Sequence, residues 1–135
     1  DDEIDAGPGN DVVLGQEGDD QLHGGRGFNL VIGGGGEDKL RGHDSIFIGG
    51  HVMLNATELT AARDIGADGS SYAARVTTLT GVGGLLEAGV TVLDDNAEDK
   101  IKAGSGKDLF FAKLGGRNDD RVRGKKSFEE LFELF

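Results

Sequence analysis

The sequence contains no cysteine, no tryptophan and only one proline. The absence of cysteine excludes a disulfide framework, a thiol nucleophile and a zinc site built on thiolates. No apolar run approaches the length of about 20 residues that a membrane-spanning helix needs, and no secretion signal opens the chain. The chain has 25 glycines in 135 residues, yet it lacks the G-X-Y period and the proline content of collagen. What remains is room for one domain with one modest core.

Basic residues are in the minority. Asp and Glu number 25 against 14 Lys and Arg, so the formal net charge is -11 at pH 7. This excess argues against nucleic-acid binding and favours either high solubility or a cation as the partner. Because the chain begins directly at Asp1-Asp2-Glu3, we expect it to be a fragment of a longer protein.

A nine-residue period organises the first part of the chain. Its apolar positions are Ile4, Val13, Leu22, Val31 and Leu40, and two residues before these stand Asp2, Asp11, Asp20, Asn29 and Asp38. Glycines precede these positions in units such as GQEGDDQLH and GGGGEDKLR. A helix would need apolar residues about every 3.6 positions. The pattern therefore predicts six-residue glycine-rich turns that alternate with three-residue strands, whose middle side chain points inward.

The same register returns near the C-terminus. Asp108 and Phe110 follow Asp99 and Ile101 at nine residues, and AGSGKDLFF is a nearly complete unit. Residues 115–122 form another unit after three inserted residues. The repeats therefore occupy two blocks separated by a gap.

Between the blocks, the segment Gly42 to Phe47 is interpreted as a shortened unit with Asp44 and Ile46. We expect four segments: repeats in 1–50, an excursion with one or two short helices in 51–89, repeats in 90–124, and a C-terminal helix in 125–135 that serves as a cap or a secretion signal.

These units resemble the hemolysin-type calcium-binding repeat, the RTX nonapeptide G-G-x-G-x-D-x-U-x. The resemblance covers roughly residues 1–50 and 94–123. It implies an all-β fold, a parallel β-roll in which two repeats make one coil. It also implies several Ca²⁺ ions, each lying between turns that are stacked one coil apart.

Calcium takes about six to eight oxygen ligands from carboxylates and backbone carbonyls, and glycines let such carbonyls converge. The predicted metal positions are the turn glycines and the residues at the sixth repeat position: Gly7, Gly9, Asp11, Gly18, Asp20, Gly25, Gly27, Asn29, Gly34, Gly36, Asp38, Asp99, Gly104, Gly106, Asp108 and Asp120.

The strongest predicted site joins Asp20 with Asp38, which stand two repeats apart, and uses carbonyls of Gly18, Gly34 and Gly36. If repeats alternate sides of the roll, turns that are two repeats apart share a metal ion. The resemblance thus implies one calcium ion between these two turns.

A second predicted site joins Asp11 with Asn29, and we expect it to be weaker because an amide replaces one carboxylate. In the C-terminal block, Asp99 and Asp120 are expected on one side of the roll and Asp108 on the other.

Some positions depart from the repeat. Gln16, Ala6 and residues 95–97 stand where glycines belong. The alternative interpretation is that the aspartates only close turns through Asx hydrogen bonds, which is a fair reading of Asp44. It is a poor reading of Asp11, Asp20 and Asp38, whose carboxylates would stack with no cation between them.

The two outer faces of the predicted roll differ in polarity. One face carries Glu3, Asp5, Gln21, His23, Lys39, Arg41, Lys100, Lys102, Arg121 and Arg123. The other carries Val12, Leu14, Leu30, Ile32, Phe47, Leu109 and Phe111. We expect the first face to be solvated and the second to be covered, either by this chain's own helices or by the remainder of the parent chain.

Three segments are predicted to be helical. Asn55 and Glu58 form a capping box before an amphipathic stretch, and a second helix is expected from Ser71 to Leu79. A final helix is expected after Ser127, with apolar residues Leu131, Phe132 and Phe135.

The sequence offers no catalytic constellation, since neither H-E-x-x-H nor G-x-S-x-G is present. The resemblance implies a calcium-binding module of a secreted bacterial protein, extracellular or on the cell surface, which folds on calcium outside the cell and accompanies type I secretion. The parent protein could be an enzyme. The alternative is an adhesion module whose basic residues hold a cell-surface polysaccharide, with calcium only structural.

Overall fold

The structure is a computed structural model that describes residues 1–115, 117–127 and 129–134. Its elements are β1 (Glu3–Asp5), β2 (Val12–Glu17), β3 (Gln21–His23), β4 (Asn29–Gly35), β5 (Lys39–Gly42), β6 (Ser45–Ile48), β7 (His51–Val52), α1 (Ala56–Ala67), α2 (Tyr72–Thr80), β8 (Val92–Leu93), β9 (Lys100–Ala103), β10 (Leu109–Ala112), β11 (Arg121–Arg123) and β12 (Leu131–Glu133).

Two parallel five-stranded sheets form the roll. The order β1-β3-β5-β9-β11 makes one sheet, called here the open sheet, and β12-β10-β6-β4-β2 makes the other, the covered sheet. Because consecutive strands belong to alternate sheets, each pair of strands completes one coil. The chain is therefore a parallel β-roll, as the resemblance implied.

Two nine-residue repeats make each coil in the first half of the roll. Glu3 pairs with Gln21, which pairs with Lys39, and Val12 pairs with Leu30 on the covered sheet. After the excursion, Lys39 of β5 pairs directly with Lys100 of β9. The coils on either side of the helices thus stack without a break.

The interior of the roll is filled by the middle residue of each strand. Val13, Leu22, Val31, Leu40, Ile101 and Phe110 are all buried there. Phe47 joins them, and its ring stacks on Phe110 with centroids 5.7 Å apart. The predicted inward positions are confirmed for both repeat blocks.

The prediction for the shortened unit assigns its side chains to the wrong faces of the strand. It places Phe47 outside and Ile46 inside, whereas Phe47 lies in the interior and Ile46 packs outside with the helices. The reason is the register, because Val31 pairs with Phe47 and this coil is therefore shorter than the one before it. Ser45 therefore takes the sixth position, and a shift of one residue exchanges the faces of a strand.

The helices cover the apolar face of the covered sheet. Leu59 and Ala62 of α1 and Leu79 of α2 are buried against Leu30 and Phe111. The start of α1 is the predicted capping box, in which Asn55 Oδ1 accepts the N–H of Glu58 at 3.0 Å. The apolar side chains exposed by the strands thus meet apolar side chains from the same chain.

The predicted C-terminal helix is wrong for the described part of that segment. Leu131–Glu133 form β12, which pairs in parallel with β10, and the Phe132 ring lies 5.2 Å from that of Phe111. Alternation along a strand sends Leu131 towards the interior and Phe132 towards the helices, where each packs against a cluster of buried side chains. Phe128 and Phe135, which belong to the predicted helix, lie outside the described residues.

Candidate calcium sites

The sixth-position residues form two rows, one along each edge of the roll. The first row is Asp2, Asp20, Asp38, Asp99 and Asp120, and the second row is Asp11, Asn29, Ser45, Asp108 and Glu129. As predicted, Asp99 and Asp120 share one side while Asp108 lies on the other. The turns between the two sheets position these residues, and most of those turns are rich in glycine.

A ladder of hydrogen bonds joins the members of the first row. The N–H of Asp20 donates to Asp38 Oδ1 at 2.8 Å, and the N–H of Asp38 donates to Asp99 Oδ1 at 2.8 Å. The Asp99 N–H donates in turn to Asp120 Oδ1 at 3.0 Å. Each carboxylate therefore contacts the backbone of the row member in the preceding coil.

The second carboxylate oxygen has no partner at five of these positions. The Oδ2 atoms of Asp20, Asp38 and Asp99 in the first row, and of Asp11 and Asp108 in the second, are buried and accept no hydrogen bond. Burying even a neutral polar group without a hydrogen bond costs roughly 2–7 kcal/mol, and burying a charged carboxylate costs far more, unless a cation or donor compensates. These oxygens are the strongest indication of a cation site in the molecule.

Glycines leave the space in front of the three orphaned oxygens of the first row. A Cβ added to Gly15 would lie 2.5 Å from Asp20 Oδ2 and would also clash with the carbonyl oxygen of Gly33. A Cβ on Gly33 would clash with Asp38 Oδ2 and lie 2.6 Å from the Gly49 carbonyl oxygen. A carboxylate oxygen and a backbone carbonyl oxygen therefore converge where the glycine has no side chain.

Gly15, Gly33 and Gly49 are not among the predicted metal positions. Gly15 and Gly33 each precede a row aspartate by five residues, a spacing that could have identified them. Gly49 faces Asp99 Oδ2 across the helical excursion, so no local spacing links the two.

The predicted turn glycines stack between neighbouring coils. A Cβ on Gly25 or Gly27 would clash with the carbonyl oxygen of Gly7 or Gly9, one coil earlier. Gly34 and Gly36 pack in the same way on the carbonyls of Gln16 and Gly18. All of the predicted glycines except Gly104 have positive φ: Gly7, Gly9, Gly18, Gly25, Gly27, Gly34, Gly36 and Gly106.

The middle of the second row is electrically neutral. Asn29 Oδ1 accepts the N–H of Asp11 at 2.9 Å, and its amide donates to the Gly27 carbonyl at 3.3 Å. Ser45 donates its hydroxyl to the His43 carbonyl at 2.9 Å. The structure brings Asp11 and Asn29 together, and the amide leaves that pair with one carboxylate.

Asp44 lies outside the row in the left-handed region, with φ of 47°. Its Oδ1 accepts the N–H of Lys107 at 3.0 Å, and a Cβ on Gly106 would clash with its carboxylate. Asp44 and His43 fill the space beside the turn that precedes Asp108, whereas Gly25, Gly27 and Gly36 stack on glycines of the preceding coil.

Burial raises the pKa of four row aspartates in the protein without metal. The pKa of Asp38 rises to about 7, that of Asp99 to about 9, that of Asp108 to about 7 and that of Asp120 to about 6. Loss of water is the main cause, and neighbouring carboxylates such as Asp20, Asp95 and Glu129 add to it. A bound cation would act in the opposite direction.

Within residues 1–115, 117–127 and 129–134, no three carboxylate or imidazole side chains converge on one point. A cation in either row would therefore take most of its oxygens from backbone carbonyls. Calcium accepts such ligand sets, and the orphaned Oδ2 atoms with their facing glycine carbonyls fit it.

Residues 1–31 and 14–45 match the family model of the RTX calcium-binding nonapeptide repeat, which describes four copies. The match covers residues 1–45, a third of the chain. The match includes Asp11, Asp20 and Asp38, so the RTX segment contains three of the five orphaned oxygens. The segment that is similar to calcium-binding repeats is therefore the first part of the β-roll, which continues beyond it to β11 and β12.

Comparisons with curated proteins and with solved structures gave no match for this chain. Neither α1 nor α2, nor any other helix in the part of the chain that the structure describes, is long and apolar enough to cross a membrane.

Proposed function

We propose that this chain is a calcium-dependent folding module of a larger secreted bacterial protein and is not itself an enzyme. The observation that carries the proposal is the set of five buried Oδ2 atoms without partners, at Asp11, Asp20, Asp38, Asp99 and Asp108. A module that folds with calcium explains why these oxygens are buried in rows and why glycine carbonyls converge with those of Asp20 and Asp38.

The physical argument concerns the state without metal. In that state, the row carboxylates must either repel one another in a poorly solvated edge or hold protons at neutral pH. The many glycines also lose more conformational entropy on folding than other residues do. Both effects disfavour the folded roll. Calcium supplies the positive charge that the edges lack, so that binding and folding are coupled.

Secretion fits the expected affinity. Extracellular calcium modules bind in the range of about 10⁻⁴–10⁻³ M, far above cytosolic calcium. Most of the chain would then remain loose inside the cell and fold outside it. Type I secretion belongs to this proposal through the family resemblance alone.

The test is calcium binding by calorimetry to the double variant Asp20→Asn/Asp38→Asn. We expect it to lose bound calcium and to raise the calcium concentration for half-maximal folding by roughly tenfold or more, because two charged ligands are removed. The control Glu3→Gln/Asp64→Asn removes two exposed charges outside the rows and should match the parent protein. Equal binding by both variants would contradict the proposal.

A second function is favoured by the charge of the open sheet. Six cationic side chains lie on three neighbouring strands: Lys39 and Arg41 on β5, Lys100 and Lys102 on β9, and Arg121 and Arg123 on β11. They line an open groove of about 320 Å³. Among the described residues, the ion pairs of this group involve only Glu98, which contacts Arg121 at 3.1 Å and Lys100 at 3.6 Å.

Such a face suits an acidic polysaccharide, with calcium only structural. Strands lie about 4.8 Å apart, so the cations form a grid three strands wide that a flexible polyanion could follow. The groove is lined by Ile101 and the six cations, without an aromatic ring on which nucleobases could stack.

The test is retention of the calcium-loaded protein on dextran sulfate, with neutral dextran as the reference matrix. We expect Arg121→Gln/Arg123→Gln to reduce retention, while Arg26→Gln/Lys107→Gln, with the same charge change in the turns, retains it. Equal loss in both variants would indicate net charge alone and remove the adhesion function.

A further inference from the structure

The last members of the two rows differ from the earlier ones. Glu129 is 3% exposed, and its Oε1 accepts the N–H of Asp108 at 3.2 Å, as the ladder requires. Its second oxygen, Oε2, accepts the N–H of Lys126 at 2.6 Å. Glu129 therefore has no orphaned oxygen, although it stands one coil after Asp108, which has one.

The ammonium group of Lys126 lies between the last two turns of the second row. Its Nζ is 2.9 Å from the Gly106 carbonyl oxygen, 3.3 Å from that of Gly104 and 3.0 Å from Glu129 Oε1. Two glycine carbonyls of one turn and the row carboxylate of the next turn thus surround one positive charge. In the first row, a carboxylate oxygen and a backbone carbonyl oxygen likewise converge beside Gly15 and beside Gly33.

The sequence of the last turn agrees with this arrangement. Because Phe110 pairs with Leu131, the positions of Gly104 and Gly106 correspond to Lys125 and Ser127. The turn has therefore lost two of its glycines and gained a lysine. Its row carboxylate is a glutamate, one methylene longer than the aspartate of the preceding turn.

The end of the first row is also closed by a lysine. Asp120 accepts the N–H of Asp99 on Oδ1 and the N–H of Lys113 on Oδ2, at 3.0 and 2.8 Å. The Lys113 ammonium contacts Asp94 Oδ2 at 2.8 Å and Asn96 Oδ1 at 3.0 Å. Both rows therefore end in a carboxylate whose oxygens are both bonded.

We propose that the Lys126 ammonium takes the place of a calcium ion between the last two turns of the second row, so that the C-terminal coil closes there without metal. An ammonium has three donors, which match the three oxygens around Nζ. The inference rests on the proposed calcium function of the other turns. It assigns β10 and β12 to a part of the roll that stays ordered when calcium is removed.

The first test is amide hydrogen exchange of the full chain in chelator. In the parent protein we expect Leu134, whose N–H donates to the Ala112 carbonyl at 3.0 Å, to stay protected. Lys126→Met should lower that protection by roughly tenfold or more, because hydrogen bonds to a charged group are lost. Lys125→Met, which removes the neighbouring charge, should leave the protection unchanged.

A second variant keeps the test decisive if Lys126→Met does not fold. Lys125→Gly/Lys126→Ser/Ser127→Gly/Glu129→Asp rebuilds the turn on the pattern of Gly104 to Asp108. We expect this variant to bind one more calcium ion by native mass spectrometry and to protect Leu134 only when calcium is present. Unchanged stoichiometry with chelator-resistant protection would overturn the inference.

The two proposals can fail separately. A parent chain whose C-terminal amides lose protection in chelator while calcium still drives folding overturns the role of Lys126 alone. If the parent chain binds no calcium, the proposed function is overturned. Hydrogen exchange of the Lys126→Met variant would then be the same with and without calcium.

Discussion

The N-terminal and C-terminal ends of the rows share one backbone ladder and differ in what satisfies the second carboxylate oxygen. At Asp20 and Asp38 that oxygen is buried without a partner, whereas at Asp120 and Glu129 a backbone N–H occupies it. The ladder alone therefore does not decide whether a turn needs a cation. The difference teaches that a row carboxylate that accepts two backbone N–H groups has no orphaned oxygen, and that Lys126 adds a positive charge at the end of the second row.

The largest expected effect comes from filling the space beside an orphaned oxygen. Gly33→Ala puts a methyl group against Asp38 Oδ2 and the Gly49 carbonyl, so it should remove one calcium ion and raise the calcium midpoint of folding about tenfold or more. Calcium titration followed by circular dichroism measures the midpoint.

Gly115→Ala is the matched change near the C-terminal end. An added Cβ there meets no atom within 4 Å, and φ is 88°, so only backbone strain of about 1–2 kcal/mol is expected. The calcium midpoint should change less than in Gly33→Ala. Equal shifts in the two variants would remove the distinction between the ends of the rows.

Lowering the pH should stabilise the metal-free protein and destabilise the calcium-loaded protein. Burial raises the pKa of Asp38 to about 7 and that of Asp99 to about 9, above their ordinary values, so the metal-free fold binds protons more tightly than the unfolded chain. The metal-free fold is therefore most stable below about pH 4 and loses stability as pH rises through about 6 to 9. Calcium needs the deprotonated carboxylates, so calcium affinity should rise over the same range.

Urea unfolding in chelator at pH 5 and pH 8, repeated in calcium, measures both trends. Greater stability at pH 5 in chelator and at pH 8 in calcium is expected. A metal-free protein that is more stable at pH 8 would show that the row carboxylates are not buried as described.

The smallest expected effect concerns the link between helix α2 and the last coils. The Tyr72 hydroxyl donates to the Asp108 carbonyl at 2.8 Å and accepts the N–H of Glu130 at 2.6 Å. Tyr72→Phe should lower the free energy of unfolding by about 1 kcal/mol. Hydrogen exchange should show faster exchange at Glu130 than in the parent and no change at Lys39; uniform change along the chain would contradict a local role.

The nine-residue period predicted the turns, the short strands and the interior positions of Val31 and Phe110, since turn and strand lengths are constant around them. The coil of two repeats came from the resemblance to the RTX repeat. With that coil, the register predicted the two rows, the two faces and the contact of Asp20 with Asp38.

Three features could not be predicted, each for a physical reason. The sequence shows that this unit is short, but it does not show whether the residues are missing before or after the strand. It therefore did not determine which way the side chain of Phe47 points. Ser127 and Glu130 fit a helix cap equally well, and only parallel pairing with β10 selects β12. The contact of Gly49 with Asp99 depends on how the excursion closes, which no local pattern specifies.

The most direct test of the account is far-UV circular dichroism of the chelator-treated chain during titration with calcium, with magnesium as the control. The account predicts a cooperative gain of β-sheet signal with calcium and none with magnesium, because calcium accepts irregular sets of carbonyl oxygens, whereas magnesium needs near-octahedral geometry and gives up water reluctantly. A chain that is fully folded in chelator, with a spectrum that calcium leaves unchanged, would contradict it and make the row aspartates turn residues held by packing alone.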